Sequence, residues 1–565
     1  MCLYRRLMAL SLASAVLFVL FLPLPSKAVA PSQPDAERYD VAVLGGTPEG
    51  VAAAVAAARL GRRVLLVEPR SRLGGLLVHG GLNSLDLNRA PGGALLNGGI
   101  FAELYSRLEG DSFDTNTAAA TLHDMVLREK LITLWTGTEI REPVVAGGQV
   151  AGVWVRGPGG PALVVADRFV DATEDADVAA AAGVAFTVGR EDYTGVRDGQ
   201  AATLVFRLKG VDWRRAVQHL AADGDDYTGA TERSLWGYGE VMHRYQPRST
   251  RIAMRGLNVG RQNDGTVLIN ALWIFGVDPL SPAAREAGMA EAVAELPAVV
   301  SYIRAHCPGF EQAELAGTAA ELYVRESRHM SGALHFLTID DVLEHRDQPD
   351  AIGYGSYAVD IQAAGPHERV QIVGAPTQYA IPLRSLVPQN LSNLAVASRS
   401  AGYSSLAHGS ARTIPVGMAA GQAAGVAAAV SLAHGVGFPE LARTPGYVRL
   451  VQGELRAQGV RLAPFSQPSP LAGHPFADDV RHFRRLGLIT AGYGNDYGLD
   501  APVTGAELAD FVARAGAALG RPVRSVAVAR LAGGGAPMTR GMLYRAARRV
   551  LFPERVRLGA GAGIR

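Results

Sequence analysis

Residues 41–68 hold the feature that most constrains this chain. A short apolar run, Val41-Ala42-Val43-Leu44, leads into Gly45-Gly46-Thr47-Pro48-Glu49-Gly50, and an Ala-rich stretch from Gly50 to Leu60 follows without a breaker. The run suits a strand buried on both faces of a parallel sheet. The Ala-rich stretch predicts a helix, which Gly61 ends. Val64–Val67 predicts a second buried strand, closed by Glu68. A glycine turn between strand and helix brings backbone amides and the positive end of a helix dipole to one point. That is the environment a diphosphate requires. Gly45 permits the tight turn, and Gly50 lets helix and strand pack closely. Thr47 stands where the pattern G-x-G-x-x-G has its middle glycine. Its methyl crowds a phosphate, while its hydroxyl can donate to one. Glu68 is placed to accept hydrogen bonds from ribose hydroxyls and to reject a 2′-phosphate. The alternative is a surface glutamate at a strand end.

Arg72-Leu73-Gly74-Gly75 follows within a few residues, a turn that NAD-only dinucleotide folds do not need. From here the chain resembles the FAD-dependent oxidoreductase family, in a run from Gly74 through Asp86 and then Gly98-Gly99-Ile100. The likeness continues through Val170–Asp177, where Glu174 and Ala176 stand for glycines, and through Val324–Arg328. It goes on in Gly355–Asp360, Ile381–Leu386 and Ala407–Met418, and ends at Gly421-Gln422-Ala423-Ala424-Gly425. It covers about residues 38–435, in order. The resemblance implies an α/β fold: a Rossmann-like FAD-binding domain of the glutathione-reductase type with an α+β substrate insertion. It implies FAD held non-covalently by Gly45, Gly46, Thr47, Pro48, Glu49, Gly50, Glu68, Arg72, Gly74, Gly75, Asp171, Gly409, Ser410 and Pro415.

Arg412–Pro415 opens a helix, with Pro in its first turn. A helix start aimed at the flavin pyrimidine would stabilise negative charge on the reduced ring. Small residues from Gly417 to Gly425 let this helix lie close to the glycine turn, or serve helix packing alone. Flavin chemistry needs a proton shuttle and often a cation beside the substrate. The catalytic candidates are His408, Arg412, Arg325 and Arg328, with His79 as a further one. For His408 a hydrogen-bonded structural role is the competing reading, and for the two RESR arginines an ion-pair role.

With domains of roughly 150 residues, the length suggests three or four folded units. The expected layout is a signal peptide over 1–30, FAD-binding halves over 37–190 and 371–435, and a substrate domain over 191–370. A linker over 436–470 follows, then a small, mainly helical C-terminal region over 471–565. That last region carries a near-repeat, Pro502-Val503-Thr504 and Pro537-Met538-Thr539, with Thr504 and Glu507 spaced as a capping box. It resembles a degenerate S-layer homology module, which implies cell-wall polysaccharide as a partner. The alternative is an appendage packed on the enzyme.

Arg5-Arg6, the apolar or small run Leu7–Leu22, and Pro23 and Pro25 read as an export signal. The alternative is an uncleaved membrane anchor, but that run reaches about 24 Å as a helix, short of a hydrocarbon core of about 30 Å, so no membrane span is expected in the mature protein. The expected location is secreted, periplasmic or cell-surface. Lys+Arg 55 against Asp+Glu 53 leaves a net charge of +2, too weak a field to gather nucleic acid. The two cysteines, Cys2 and Cys307, are too few for an iron–sulfur cluster, and no spacing suggests a metal. The function expected is hydride transfer between a small-molecule substrate and FAD. The alternative is a cell-surface binding protein built on a relic of the same fold.

Overall fold

The computed structural model describes residues 38–521 and 538–553. The expected signal segment lies outside the described residues, as does Pro537 of the second near-repeat. Strand β1 (Arg38–Leu44), helix α1 (Pro48–Arg59) and strand β2 (Val64–Glu68) form as the apolar pattern requires. β1 and β2 run parallel, Val41 opposite Val64 and Leu44 opposite Val67. Strands β3 (Ile132–Thr136), β4 (Glu139–Ala146), β5 (Gln149–Gly157) and β6 (Gly160–Asp171) complete the order β3-β2-β1-β6-β5-β4. β4 to β6 are an antiparallel meander, whereas β3, β2, β1 and the end of β6 are parallel. The strand Leu394–Val396 returns much later to join β6 in parallel at Phe169–Asp171.

The helix Ile414–His434 is apolar on every side because it is buried on every side. It is long and apolar enough to cross a membrane, yet 89% of that window is buried within the fold. It crosses α1 at backbone contact. A Cβ on Gly421 would lie 2.1 Å from the Glu49 carbonyl oxygen, and one on Gly425 would lie 2.1 Å from that of Ala53. The small-residue stripe is therefore the means by which this late helix reaches the first βαβ unit.

The insertion forms an antiparallel sheet of its own. Ala202–Lys209 pairs with Glu314–Thr318 and Val267–Ile274, and Leu257–Arg261 and Ser234–Gly237 extend it. The helix Pro282–His306 covers it through Leu296, Val299 and Ile303. Its core runs from Ala202 to Val324, and from Met330 to Leu462 the buried hydrophobics that cluster belong again to the first core, apart from Ala363, which packs with Ala201, Trp273 and Phe275. The expected limit at 370 is thus too late, since the short strands beyond 330 pack on the dinucleotide sheet. The expected linker over 436–470 is corrected as well. Phe438–Arg443 and Pro445–Ala457 are helices that bury Phe438, Leu441, Val451 and Leu455 in the main core. Pro and Gly in that stretch start helices and caps instead of marking an extended tether.

The C-terminal region has a third core, built by Ala477–Arg485, Gly505–Ala518 and Arg540–Leu551. The near-repeats face one another: Pro502–Val503 pairs antiparallel with Met538–Thr539. Thr504 and Glu507 form the capping box, whereas Thr539 caps alone because Met542 has no carboxylate. Arg484, fully buried, fixes this region to the helix Ile339–Leu343 and its end, bonding Asp340 and donating from Nη2 to Glu344 at 2.7 Å.

Candidate cofactor and substrate site

The glycine turn has no room for side chains. Gly45 has φ +108°, and a Cβ there would sit 2.4 Å from the Ala172 carbonyl oxygen; one on Gly50 would sit 1.8 Å from that of Gly45. Thr47 is the N-cap of α1. Its Oγ1 accepts from the Gly50 amide at 3.2 Å and donates to the Ala172 carbonyl at 3.0 Å. The hydroxyl is therefore spent on backbone, which corrects its expected use as a phosphate donor. Glu68 is fully buried beneath the turn. Its Oε2 accepts from the Gly46 amide at 2.6 Å and its Oε1 from the Arg70 amide at 2.8 Å, so it is no surface glutamate. Gly74 donates its amide to the Gly46 carbonyl at 2.7 Å, stitching the second glycine turn to the first. Arg72 turns away and donates to Asn116 Oδ1 at the surface. Arg70 points inward instead, onto Glu68 and Glu321.

A cavity opens above the turn. Thr47, Pro48 and Glu49 form its floor, Leu76, Leu77 and Leu82 one side, Ser398 and Arg399 another. Tyr323, Arg325, Arg412 and Ile414 form the far end. Glu174 reaches in as well. Its Oε1 accepts from the Leu76 amide at 2.9 Å, and Arg399 donates to its Oε2 at 3.2 Å. Burial, with Glu174 adding its charge, pushes the Glu49 carboxyl up to about 7. Asp171 does not reach the cavity. It accepts from the Thr173 amide and hydroxyl and from the Ala179 amide, fixing the start of a short helix. Ala176, where the family pattern has glycine, sits at φ +51°. It carries the mild cost a non-glycine residue meets there.

The far end is cationic. Arg412 donates to the Tyr323 hydroxyl at 2.9 Å and lies 3.7 Å from Asp360; its Nε has no partner although the side chain is only 8% exposed. Arg325 donates to the Ala201 carbonyl and to Thr203 Oγ1, both at 2.8 Å, and stacks on the Tyr323 ring at 4.5 Å. Burial, then the repulsion of Arg412 and Arg255, pulls its guanidinium down to about 10. Arg255 bonds Gln362, which also holds Asp360. Asp86 lies within charge reach of the Tyr357 phenol, and Asn88 clamps the Tyr357 loop by accepting from the Ser356 and Tyr357 amides. Burial raises the Asp86 carboxyl against the pull of Arg412.

Of the four catalytic candidates, only Arg325 and Arg412 line the cavity. His408 is fully buried, stacks edge-on against His329 at 5.0 Å and has no hydrogen-bond partner. Burial and His329 hold it neutral. Arg328 bonds the Asp175 carbonyl and Asp177 at 2.7 and 2.6 Å, as its ion-pair reading has it. Ser410 donates to the Tyr357 carbonyl, and Gly409 gives room to Ile361; both support the cluster from behind. Pro415 is buried in the first turn of the long helix. His79 contacts the Arg72 carbonyl through its ring at 3.0 Å. Arg255, Asp86, Tyr357 and Asp360 were not singled out by sequence, although Asp86 and Asp360 close two of the resembling segments.

A glycine turn that no Cβ could enter, an acid buried beneath it and a cavity at the helix start define a dinucleotide-binding α/β protein. The chain belongs to the FAD dependent oxidoreductase family, whose profile matches residues 40–455. It is an FAD-dependent enzyme, and the residues present fit that cofactor: the glycine turn has no room for side chains, and a cavity opens beside the helix start. A search of curated proteins found no match. Among solved structures it is similar to a geranylgeranyl bacteriochlorophyll reductase-like protein of Thermoplasma acidophilum. The identity there is 12%, over 92% of this chain and 97% of that one, with a TM-score of 0.37. It is also similar to a myxobacterial chondrochloren halogenase, at 14% identity over 92% and 98% with a TM-score of 0.38. A third is p-nitrophenol 4-monooxygenase of Pseudomonas putida, at 13% over 76% and 91% with a TM-score of 0.34.

Proposed function

We propose that this enzyme is exported and exchanges a hydride with a small organic anion. The observation that carries the anion is the Arg412 Nε: buried, without a partner, and beside Arg325 at the end of the cavity. An unpaired buried guanidinium nitrogen costs free energy that a bound carboxylate would recover by a charge-assisted hydrogen bond. Three guanidiniums (Arg255, Arg325, Arg412) face two carboxylates (Asp86, Asp360), so the cluster has positive charge to spare. FAD, when bound, supplies the two-electron donor or acceptor.

The chain's own residues do the rest. Arg412 and Arg325 orient the anion. Tyr357 holds its own phenolic proton firmly, because Asp86 and Asp360 oppose its ionisation. Export rests on Arg5-Arg6 and the apolar run after them.

Purified protein is expected to be yellow and to release FAD on denaturation. Arg412→Met should keep the flavin and lose at least tenfold in the affinity for carboxylates that perturb its spectrum, about 1.4 kcal/mol. Protein that cannot take up FAD, or an Arg412→Met variant that binds carboxylates as well as wild type, would sink this reading.

A further inference from the structure

We propose that Tyr323 is the acid–base residue of this site, and that the substrate is a short oxo acid or the hydroxy acid it becomes on reduction. This rests on the anion reading of the pocket and deepens it.

Tyr323 lines the far end of the cavity together with Arg325 and Arg412. Its hydroxyl oxygen accepts from Arg412 at 2.9 Å, and the Arg325 guanidinium lies over its ring at 4.5 Å. The phenol therefore stands between two cations. Among the described residues no group accepts the hydroxyl's own hydrogen. An acceptor position is used and the donor position is left for a ligand.

The tyrosine is held by its backbone. Its amide donates to the Thr203 carbonyl at 2.8 Å, and its carbonyl accepts from the Thr203 amide at 2.9 Å. Thr203 also takes Arg325 through Oγ1 at 2.8 Å. One residue on the strand Ala202–Lys209 thus fixes the backbone of the tyrosine and the head group of the arginine. Thr203 pairs in turn with Trp273 on Val267–Ile274, inside the insertion's sheet. A group fixed by a sheet can keep the separation of about 3 Å that proton transfer needs.

The substrate class follows from the shape of Arg412. Its Nη1 bonds the Tyr323 hydroxyl while its Nε has no partner. Both nitrogens belong to one planar guanidinium, so the groups they serve lie close together. A carboxylate at Nε leaves Tyr323 to meet an oxygen on the next carbon or the one after. On reduction, the carbonyl carbon gains a hydride from the reduced cofactor, and the carbonyl oxygen takes the Tyr323 proton to become a hydroxyl. Arg412 and Arg325 meet the negative charge left on the phenol oxygen, and water returns the proton. Oxidation is the reverse: the phenolate takes the hydroxyl proton as the hydride leaves.

The test uses the oxidised holoenzyme, which cannot exchange a hydride with an oxo acid, so that binding alone is read. The visible flavin band is followed with pyruvate against propionate and with acetoacetate against butyrate. Wild type should prefer the oxo acid about tenfold in at least one pair. Tyr323→Phe keeps the ring and its stacking. It should retain flavin, bind propionate and butyrate within about twofold of wild type, and lose the preference. Thr203→Val, which releases Arg325 but leaves the phenol, should weaken all four acids alike and keep the preference. No preference in wild type, or one that survives in Tyr323→Phe, overturns the proposal, as does its loss in Thr203→Val. If wild type binds none of the four acids, the anion reading of the pocket fails and this proposal with it. If it binds all four equally, the anion reading stands and only the role of Tyr323 falls.

Discussion

The Glu49 carboxylate occupies the space that a side chain on Gly417 would need: a Cβ there would lie 2.2 Å from Glu49 Oε1. An acid on the first helix and a glycine on the last large one are thus fitted to each other. At Gly421, one turn on, the clash would be with the Glu49 carbonyl instead, at 2.1 Å. Gly417→Ala should therefore cost about 1–3 kcal/mol by overpacking, and Glu49→Ala should relieve most of it. Gly421→Ala should cost at least as much with no relief from Glu49→Ala, because backbone is in the way. A double-mutant cycle on urea midpoints measures both, and equal behaviour at the two glycines would contradict the geometry.

Stability should fall as pH rises toward neutrality. Burial raises the Glu49 carboxyl from 4.5 to about 7 and the Asp171 carboxyl from 3.8 to about 6. Between the ordinary and raised values the folded chain binds more protons than the unfolded one, so ionisation opposes folding. The apoprotein's Tm should drop from about pH 5 to about pH 7.5. Glu49→Gln should remove the part between about pH 4.5 and 7 and leave the Asp171 part, between about pH 3.8 and 6. A flat profile in wild type would show that neither acid is held protonated.

Gly50→Val should abolish FAD retention, since its Cβ would meet the Gly45 carbonyl oxygen at 1.8 Å and force helix from strand. Normal flavin content in that variant, read from the visible absorption of purified protein, would refute the assigned turn.

Arg484→Met removes one side of a buried ion-pair set and leaves Asp340 and Glu344 uncompensated. A loss of about 3–5 kcal/mol is expected in the docking of the C-terminal region. It should appear as a new, earlier thermal transition and as protease cleavage near residue 470, with flavin content unchanged. A single transition at the wild-type temperature would mean that the ion pairs do not hold the region in place.

Much of this molecule was legible in order along the chain. Val41–Glu68 specified strand, turn, helix and strand because the pattern is local: apolar runs, a breaker-free Ala stretch and glycines at fixed offsets. Arg325 and Arg412, which line the cavity, lie in segments that resemble the family's. His408 lies in such a segment and Arg72 just ahead of one, yet neither reaches the cavity. A motif places a backbone, whereas the side chain's direction depends on what packs beside it: Asn116 draws Arg72 outward, and His329 packs edge-on against the buried His408.

Sequence by itself determined the dinucleotide-binding unit, the acid that closes its second strand, and the family. Only the tertiary structure decided the cationic end of the cavity, where Tyr323, Arg325, Asp360 and Arg412 come together. Glycine turns and helix caps are written in a few adjacent residues. A charged cluster of this kind has no period and no spacing, because what assembles it is the burial of apolar faces elsewhere in three cores.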